Sequence, residues 1–292
     1  MIQHPRRTTP LCRVRAWAST EVACLLLRLA NGLTLAGAFR ESTLMSGIMR
    51  VLVPLDSQSD AAFQLAFKYA ESICQKSGAN VIVLLTHTKS QLEHTGLARM
   101  LGSHVIKAMG KGNATTSAGY ALRAETMRTL RYLSQKSVLV VYYAEAGILD
   151  VADGVQNVAG VVAVPDHPGD ADAWVQRWGA HVHGQARQAP SVLIKDTVVV
   201  AALDELTNII NLSTGLAHPR DKERADETLR ILRAKGHADP TPNIKSWAIQ
   251  KGWKPDHAVA LETLARKIWG LKNKPSLGKI PAAHNHYERW RK

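Results

Sequence analysis

Residues 80–86 read Asn-Val-Ile-Val-Leu-Leu-Thr, an apolar run rich in β-branched side chains with no polar residue at alternate positions. Successive Cβ atoms of a strand point to opposite faces, so a strand that does not alternate is covered on both. Sheets covered on both faces are built from parallel strands joined by crossover helices, which disfavours an all-β architecture and demands helices on either side of the run. The preceding segment supplies one. After Met49-Arg50-Val51-Leu52-Val53-Pro54-Leu55-Asp56, the residues Ala62, Leu65, Ala66, Tyr69, Ala70 and Ile73 recur at spacings of three and four. Ser59 or Asp60 can cap the first turn of that helix, and Gly78 stands where a helix commonly stops.

Further apolar runs at 137–143, 160–165 and 191–195 extend the rhythm. They predict an α/β fold with an open parallel sheet of about five strands flanked by helices, a Rossmann-like domain over residues 49–212. Two helical patterns, 92–109 and 118–133, flank a Gly/Asn/Thr/Ser-rich stretch at 110–117 that reads as a mobile loop. Ligands of open α/β sheets gather beyond the carboxyl ends of the strands. Asp56, Thr86, His87, Asp166 and His167 are therefore the candidate ligand-binding rim.

The order of these elements, Met49 to Asp56 with its Ala-rich helix, then residues 80–88, then Glu145-Ala146-Gly147-Ile148 through Val164-Pro165-Asp166-His167, resembles the universal stress protein and related adenine-nucleotide-binding α/β domains over about residues 49–170. The resemblance implies a Rossmann-like fold and an adenine nucleotide as ligand. It also implies a role at the nucleotide site for Asp56, the acidic residue after the first strand.

Charge divides the chain. The net charge is +13 from 37 Lys and Arg against 24 Asp and Glu. Residues 1–48 carry +4, residues 49–212 are neutral, and residues 213–292 carry +9. Clustered cations gain free energy by displacing the counterions of a polyanion, so the last segment points to DNA or RNA as partner. No apolar run approaches the roughly 20 residues that cross a bilayer, which argues against a membrane partner. Three cysteines, Cys12, Cys24 and Cys74, form no disulfide framework and suit a reducing cytoplasm. Residues 1–48 form a basic extension whose apolar stretch at 22–27 is interrupted by Arg28, unlike an export signal. Met45 and Met49 stand just before the first strand, so the extension reads as a disordered arm or a mis-started one.

Residues 213–292 predict a basic all-α domain. A helix over 197–212 closes the α/β domain or bridges to the next one, and a second, over 220–235, presents Ala225, Leu229, Ile231 and Leu232 on its apolar side, leaving Arg220, Lys222, Arg224, Glu227 and Arg230 largely in water. Then Ile244, Trp247 and Ala248 share one helical face, Gly252 permits a sharp turn, and a further helix carries Val259, Leu261, Leu264 and Ile268. Ala248 and Gly252, four residues apart, fit the close crossing of a helix-turn-helix. The stretch Ile244-Lys245-Ser246-Trp247-Ala248-Ile249-Gln250-Lys251-Gly252-Trp253 resembles the DNA-binding helix of Lsr2-type nucleoid proteins, within a similarity of about 25 residues over 243–269. That resemblance implies DNA as partner. Cations interleaved with aromatics can hold phosphates and stack on bases, which makes Lys245, Lys251, Lys254, Arg266, Lys267, Lys272, Lys274, Lys279, Arg289, Trp290 and Arg291 the candidate nucleic-acid-binding residues. Trp247, Trp253 and Trp269 read instead as the core of the module.

No P-loop, nucleophile elbow, HExxH or dinucleotide glycine fingerprint occurs, so no residue pattern demands an enzyme or names a cofactor. His181 and His183 would share one face of an extended segment, with Asp166 or His167 as a third ligand, but the spacing fits no known framework and no metal is expected. The leading expectation is a ligand-sensing or assembly domain, open to homodimer formation, coupled to a nucleic-acid-binding module. The competing expectations are a nucleotide-dependent enzyme or hydrolase acting through Asp56, Asp166 and His167, and a protein-protein adaptor.

Overall fold

The computed structural model describes residues 47–292; the expectations for the N-terminal extension fall on residues outside these. The chain forms two compact units. One comprises the described residues up to Asp172 together with Ala180–Gln188, and the other comprises Ala173–Gly179 and Ala189–Lys292.

The first unit is α/β. Its strands are β1 (Met49–Leu52), β2 (Val81–Thr86), β3 (Ala114–Thr115), β4 (Ala121–Thr126), β5 (Ser137–Tyr142), β6 (Val158–Val164) and β7 (His181–Val182), in the order β3-β4-β2-β5-β6-β1-β7. All neighbours are parallel except β3 on β4. The sheet thus has five strands of four or more residues, with a two-residue strand at each edge. Every residue of β2, β5 and β6 is buried, as the unalternating runs require.

Helix α1 (Asp60–Ser77) lies across β6, β5 and β2 and buries Ala62, Phe63, Ala66, Phe67, Tyr69, Ala70, Ile73 and Cys74. Ser59 caps it by accepting from the Ala62 N–H. The approach is close at Gly160 of β6, where a Cβ would stand 2.7 Å from Ile73 Cγ2 and 3.0 Å from the Met49 carbonyl oxygen. Burial, then the neighbouring Glu71, pushes the Cys74 thiol up to about 11, which suits a core position rather than a nucleophile.

Several sequence expectations need correction. The pattern over 92–109 is three short helices, α2 (Lys89–His94), α3 (Gly96–Leu101) and α4 (Ser103–Gly110), broken at Thr95 and Gly102. The supposed helix over 118–133 contains β4, which pairs with β2 along all six residues: the apolar edge of β2 outweighs the helical pattern. The stretch 110–117, expected as a mobile loop, contains the two-residue strand β3 between turns. Residues 191–195 are not a strand, because Leu193 and Ile194 pack into the helical core. Helix α5 (Ala146–Asp153) joins β5 to β6, as the rhythm of elements implies.

The second unit is helical. After α6 (Asp172–Trp178), most of which belongs to it, come α7 (Thr197–Ile209), α8 (Pro219–Ala234), α9 (Thr241–Gln250), α10 (Pro255–Trp269) and α11 (Ala283–Trp290). Helix α7 lies on this side of the division, not with the sheet as the boundary at 212 assumed. Its apolar face, Val199, Ala202, Leu203 and Leu206, is buried in one core with Leu229, Leu232, Ile244, Trp247, Trp253, Leu261 and Ile268. Helices α9 and α10 meet at the expected tight corner, with Gly252 at φ +89°, a conformation that side chains bearing a Cβ rarely adopt. Two residues depart from the expected core. Val259 is 42% exposed on α10, and Trp290, assigned to the surface, is 5% exposed.

Candidate functional site

The strand-end rim assembles, but its groups are largely occupied by one another. After β1, Asp56 is exposed and its carboxylate accepts the Gln58 N–H at 2.9 Å. Ser57, fully buried, donates to Asp166 Oδ1 at 2.8 Å and so ties the loop after β1 to the loop after β6. His167 stands 3.7 Å from Asp166, and its backbone N–H donates to Asp170. Thr86 is buried and donates to the Thr88 carbonyl, while His87 contacts the Tyr143 carbonyl through Nε2 at 3.0 Å. Tyr143 adopts a positive φ of 56° and donates to Thr95 at 2.7 Å. Gln58 closes the arrangement by accepting the Gly96 N–H at 3.1 Å. The five rim residues therefore come to one end of the sheet, and none of them lines the ≈ 400 or the ≈ 90 Å³ cavity. The loop after β6 brings the Asp166 carboxylate to the rim rather than converging N–H groups, an arrangement poorly suited to cradling phosphates.

His181 and His183 both approach Tyr69, their ring centroids 6.1 and 5.8 Å from it, and the Tyr69 hydroxyl bonds His183 Nδ1 at 2.9 Å. Among the described residues, no group of three or more His, Cys, Asp and Glu is placed to hold a metal.

In the helical unit the candidate cations sort by partner. Lys251 pairs with Asp204 at 2.6 Å and lies over the Trp247 ring; Lys254 donates to the Ser213 carbonyl. Arg289 pairs with Glu205 at 2.7 Å, and Arg291 with Glu288 at 3.3 Å. Trp290 must leave the stacking group: its ring is buried, and its indole N–H donates to Glu205 at 3.1 Å. Lys245 is half-buried on α9. The remainder gather along α10 and the segment after it. Asp256, Val259, Ala260, Thr263, Arg266 and Lys267 are all exposed, at intervals of three and four, and so form one outward stripe. Arg266 reaches back to Glu262 at 2.7 Å. Lys267, Lys272, Lys274 and Lys279 are exposed and form no ion pair among the described residues. Trp253-Lys254-Pro255 is the structural turn into this helix, with Trp253 buried and Pro255 in its first turn.

Sequence reasoning missed a linked trio. Asp196 accepts the N–H groups of Val198 and Val199 at the start of α7 and meets His237 Nδ1 at 2.7 Å, while His237 Nε2 lies 3.2 Å from the Tyr287 hydroxyl. The three residues pin the beginning of α7, the end of α8 and α11 to one another. They are far apart in sequence and belong to no short motif, so only the fold brings them together. Burial alone would push the Asp196 carboxyl up, but the hydrogen bonds to His237, Val199 and Val198 and the charge of His237 outweigh it, leaving the carboxyl below its usual range. A depressed folded value makes its stabilisation complete above the unfolded value of about 3.9 and lost as the pH falls through the lower folded one. Asp196→Ala is expected to cost about 1–2 kcal/mol in urea denaturation near neutrality, with the difference from the parent shrinking once the pH passes below that range.

A family model described as a domain of unknown function (DUF1889) matches residues 195–291, from the capping aspartate of α7 to the end of α11. No curated protein and no solved structure matches the chain. The matched residues coincide with the larger segment of the helical unit, and all three members of the Asp196, His237 and Tyr287 trio lie within them. No helix among the described residues is long and apolar enough to cross a membrane.

Proposed function

We propose that the helical unit binds double-stranded DNA, with α9 and α10 forming a helix-turn-helix corner and α10 entering the major groove. The observation that carries this reading is the outward stripe of α10. Small or short side chains at Val259, Ala260 and Thr263 leave room for base edges, and Arg266, Lys267 and then Lys272 follow toward the phosphates. Val259 and Ala260 also offer apolar contact to thymine methyl groups. The exposure of Val259 on an otherwise well-packed helix fits a surface that is covered only on binding.

The α/β unit serves in this reading as the sensing or assembly part, in a cytoplasmic protein. Its rim is the place where a small ligand such as an adenine nucleotide would act, and a second copy of the chain would make a symmetric dimer that reads two half-sites. Neither assignment is needed for the DNA reading. The rim's internal hydrogen bonds already engage Ser57, Thr86, His87 and Asp166, which counts against nucleotide hydrolysis there.

The test is a gel-shift titration of the full chain on duplex DNA at several salt concentrations, with RNA in parallel. Each lost phosphate contact lowers the salt slope by about 0.9. Lys267→Ala with Lys272→Ala is therefore expected to reduce the slope by about 2 and to weaken binding almost uniformly across sequences. Thr263→Asp would oppose the duplex directly and abolish specific retention. Affinity no tighter than millimolar at low salt, or equal binding by the double variant and its parent, would remove the proposal.

A further inference from the structure

A cavity of ≈ 400 Å³ lies inside the helical unit among α7, α8, α11 and the segment preceding α11. Its size falls within the range of small-molecule sites. Apolar walls come from Leu206, Ile209, Ile231, Ile280 and the buried ring of Trp290. Of its charged groups, Glu205 and Arg289 neutralise each other at 2.7 Å, and Glu205 also takes the Trp290 indole N–H. Arg289 further donates to His286 Nδ1 at 2.7 Å, so that ring nitrogen is an acceptor here.

Two charged groups on the lining remain. Arg224 and Glu227 both project from α8, three residues apart, where opposite charges on one helix face commonly pair. Here they do not. Arg224 donates only to the Ile209 carbonyl at 3.3 Å, and Glu227 has no hydrogen-bond or ion-pair partner among the described residues. A half-buried carboxylate and an exposed guanidinium thus stand on the lining of one hollow of mixed polarity, with no direct ionic contact between them.

We propose that this cavity binds a small zwitterion with an apolar body, the chemical class of the aliphatic and aromatic α-amino acids. The ligand's ammonium group pairs with Glu227, its carboxylate with Arg224, and its side chain packs against Ile231, Ile280 and Trp290. The complementarity is of charge sign and of polarity together: an amine alone would leave Arg224 unpaired, and a fatty acid alone would meet Glu227 with like charge. Burial, then Glu223, pushes the Glu227 carboxyl up, with His286 and Arg224 pulling the other way. The site is independent of the DNA reading, since none of the exposed α10 stripe lines the cavity.

The experiment is a thermal-shift and calorimetric titration of the full chain with L-leucine and L-phenylalanine, set against isoamylamine and 4-methylpentanoate, which each keep one charge and the apolar body. Saturable binding of a zwitterion, at least about tenfold weaker for both single-charge analogues, is expected, because a charge-assisted hydrogen bond left unmade costs that much or more. Glu227→Gln and Arg224→Met should each weaken zwitterion binding by a similar factor. The analogue series on the parent chain keeps the test valid should either variant fold poorly. No saturable response to either amino acid, or equal affinity for zwitterion and analogues, overturns the proposal, and neither result bears on DNA retention.

Discussion

Trp253→Ala is expected to cost about 3–5 kcal/mol, a large part of the 5–15 kcal/mol that holds a typical domain folded. Trp253 is only 2% exposed, sits in the turn between α9 and α10, and its indole N–H donates to Thr207 of α7 at 2.9 Å. Truncation opens a cavity at the point where three helices meet and leaves the Thr207 hydroxyl with only its own backbone partner, the Leu203 carbonyl. Hydrogen exchange should show lost protection in α7, α9 and α10, and the denaturation midpoint of the full chain should fall. Duplex retention should go with it, because α10 is aimed by this corner. Trp253→Phe separates the contributions: it keeps most of the ring volume and gives up the N–H bond, at a cost nearer about 1 kcal/mol. Equal stability of the alanine variant and the parent would mean that the corner is not held by this residue.

The second large effect belongs to the sheet unit. Arg50 of β1 reaches Asp153 at the end of α5 at 3.3 Å, and the two side chains are only 6% and 0% exposed. A charge so enclosed is tolerated because it is paired, and removing Arg50 takes from Asp153 the counter-charge that stands 3.3 Å away. Arg50→Met is therefore expected to cost about 3–5 kcal/mol by urea denaturation, whereas the double change to Arg50→Met with Asp153→Leu should recover most of that loss. A single variant no less stable than the double one would show that Asp153 finds compensation elsewhere.

The parts of the fold that were legible in the sequence are those where one local pattern admits one solution. The unalternating runs of β2, β5 and β6 could be buried only on both faces, and the Ala-rich spacing from Ala62 to Ile73 could cover such a sheet only as a helix. Where a pattern admitted two solutions, the tertiary context decided. The segment around Leu122 can make a helical face, but pairing with β2 satisfies six residues of an edge that would otherwise be bare. Likewise α7 has an apolar face that either unit could use, and the tryptophans of the helical unit provide the deeper partner. The tail after residue 270 looked like a charged string with aromatic ornaments because Trp290 is separated by some 85 residues from Glu205, the group that receives its N–H. The rim residues Asp56, Thr86, His87, Asp166 and His167 were legible as neighbours, since strand ends converge in any such sheet. That Ser57 and Gln58 would fill the space between them was not, because that depends on side-chain reach across loops. The cavity of Arg224 and Glu227 was unreadable for a related reason. Both were expected in water on a helix surface; Arg224 is exposed, but the return of α11 over α8 leaves Glu227 half-buried.

The chain's path has a consequence for how its two units can be separated. It passes from sheet unit to helical unit after Asp172, returns to lay down β7, and leaves again after Gln188. The short loan of residues 173–179 is anchored in its host, with Arg177 donating to Ser246 and its carbonyl receiving Gln250. A shortened protein beginning at residue 189 would therefore lack a piece of its own wall, and one ending at residue 172 would lack an edge of its sheet. Neither half can be excised or grafted at a single cut without leaving part of itself behind in the other.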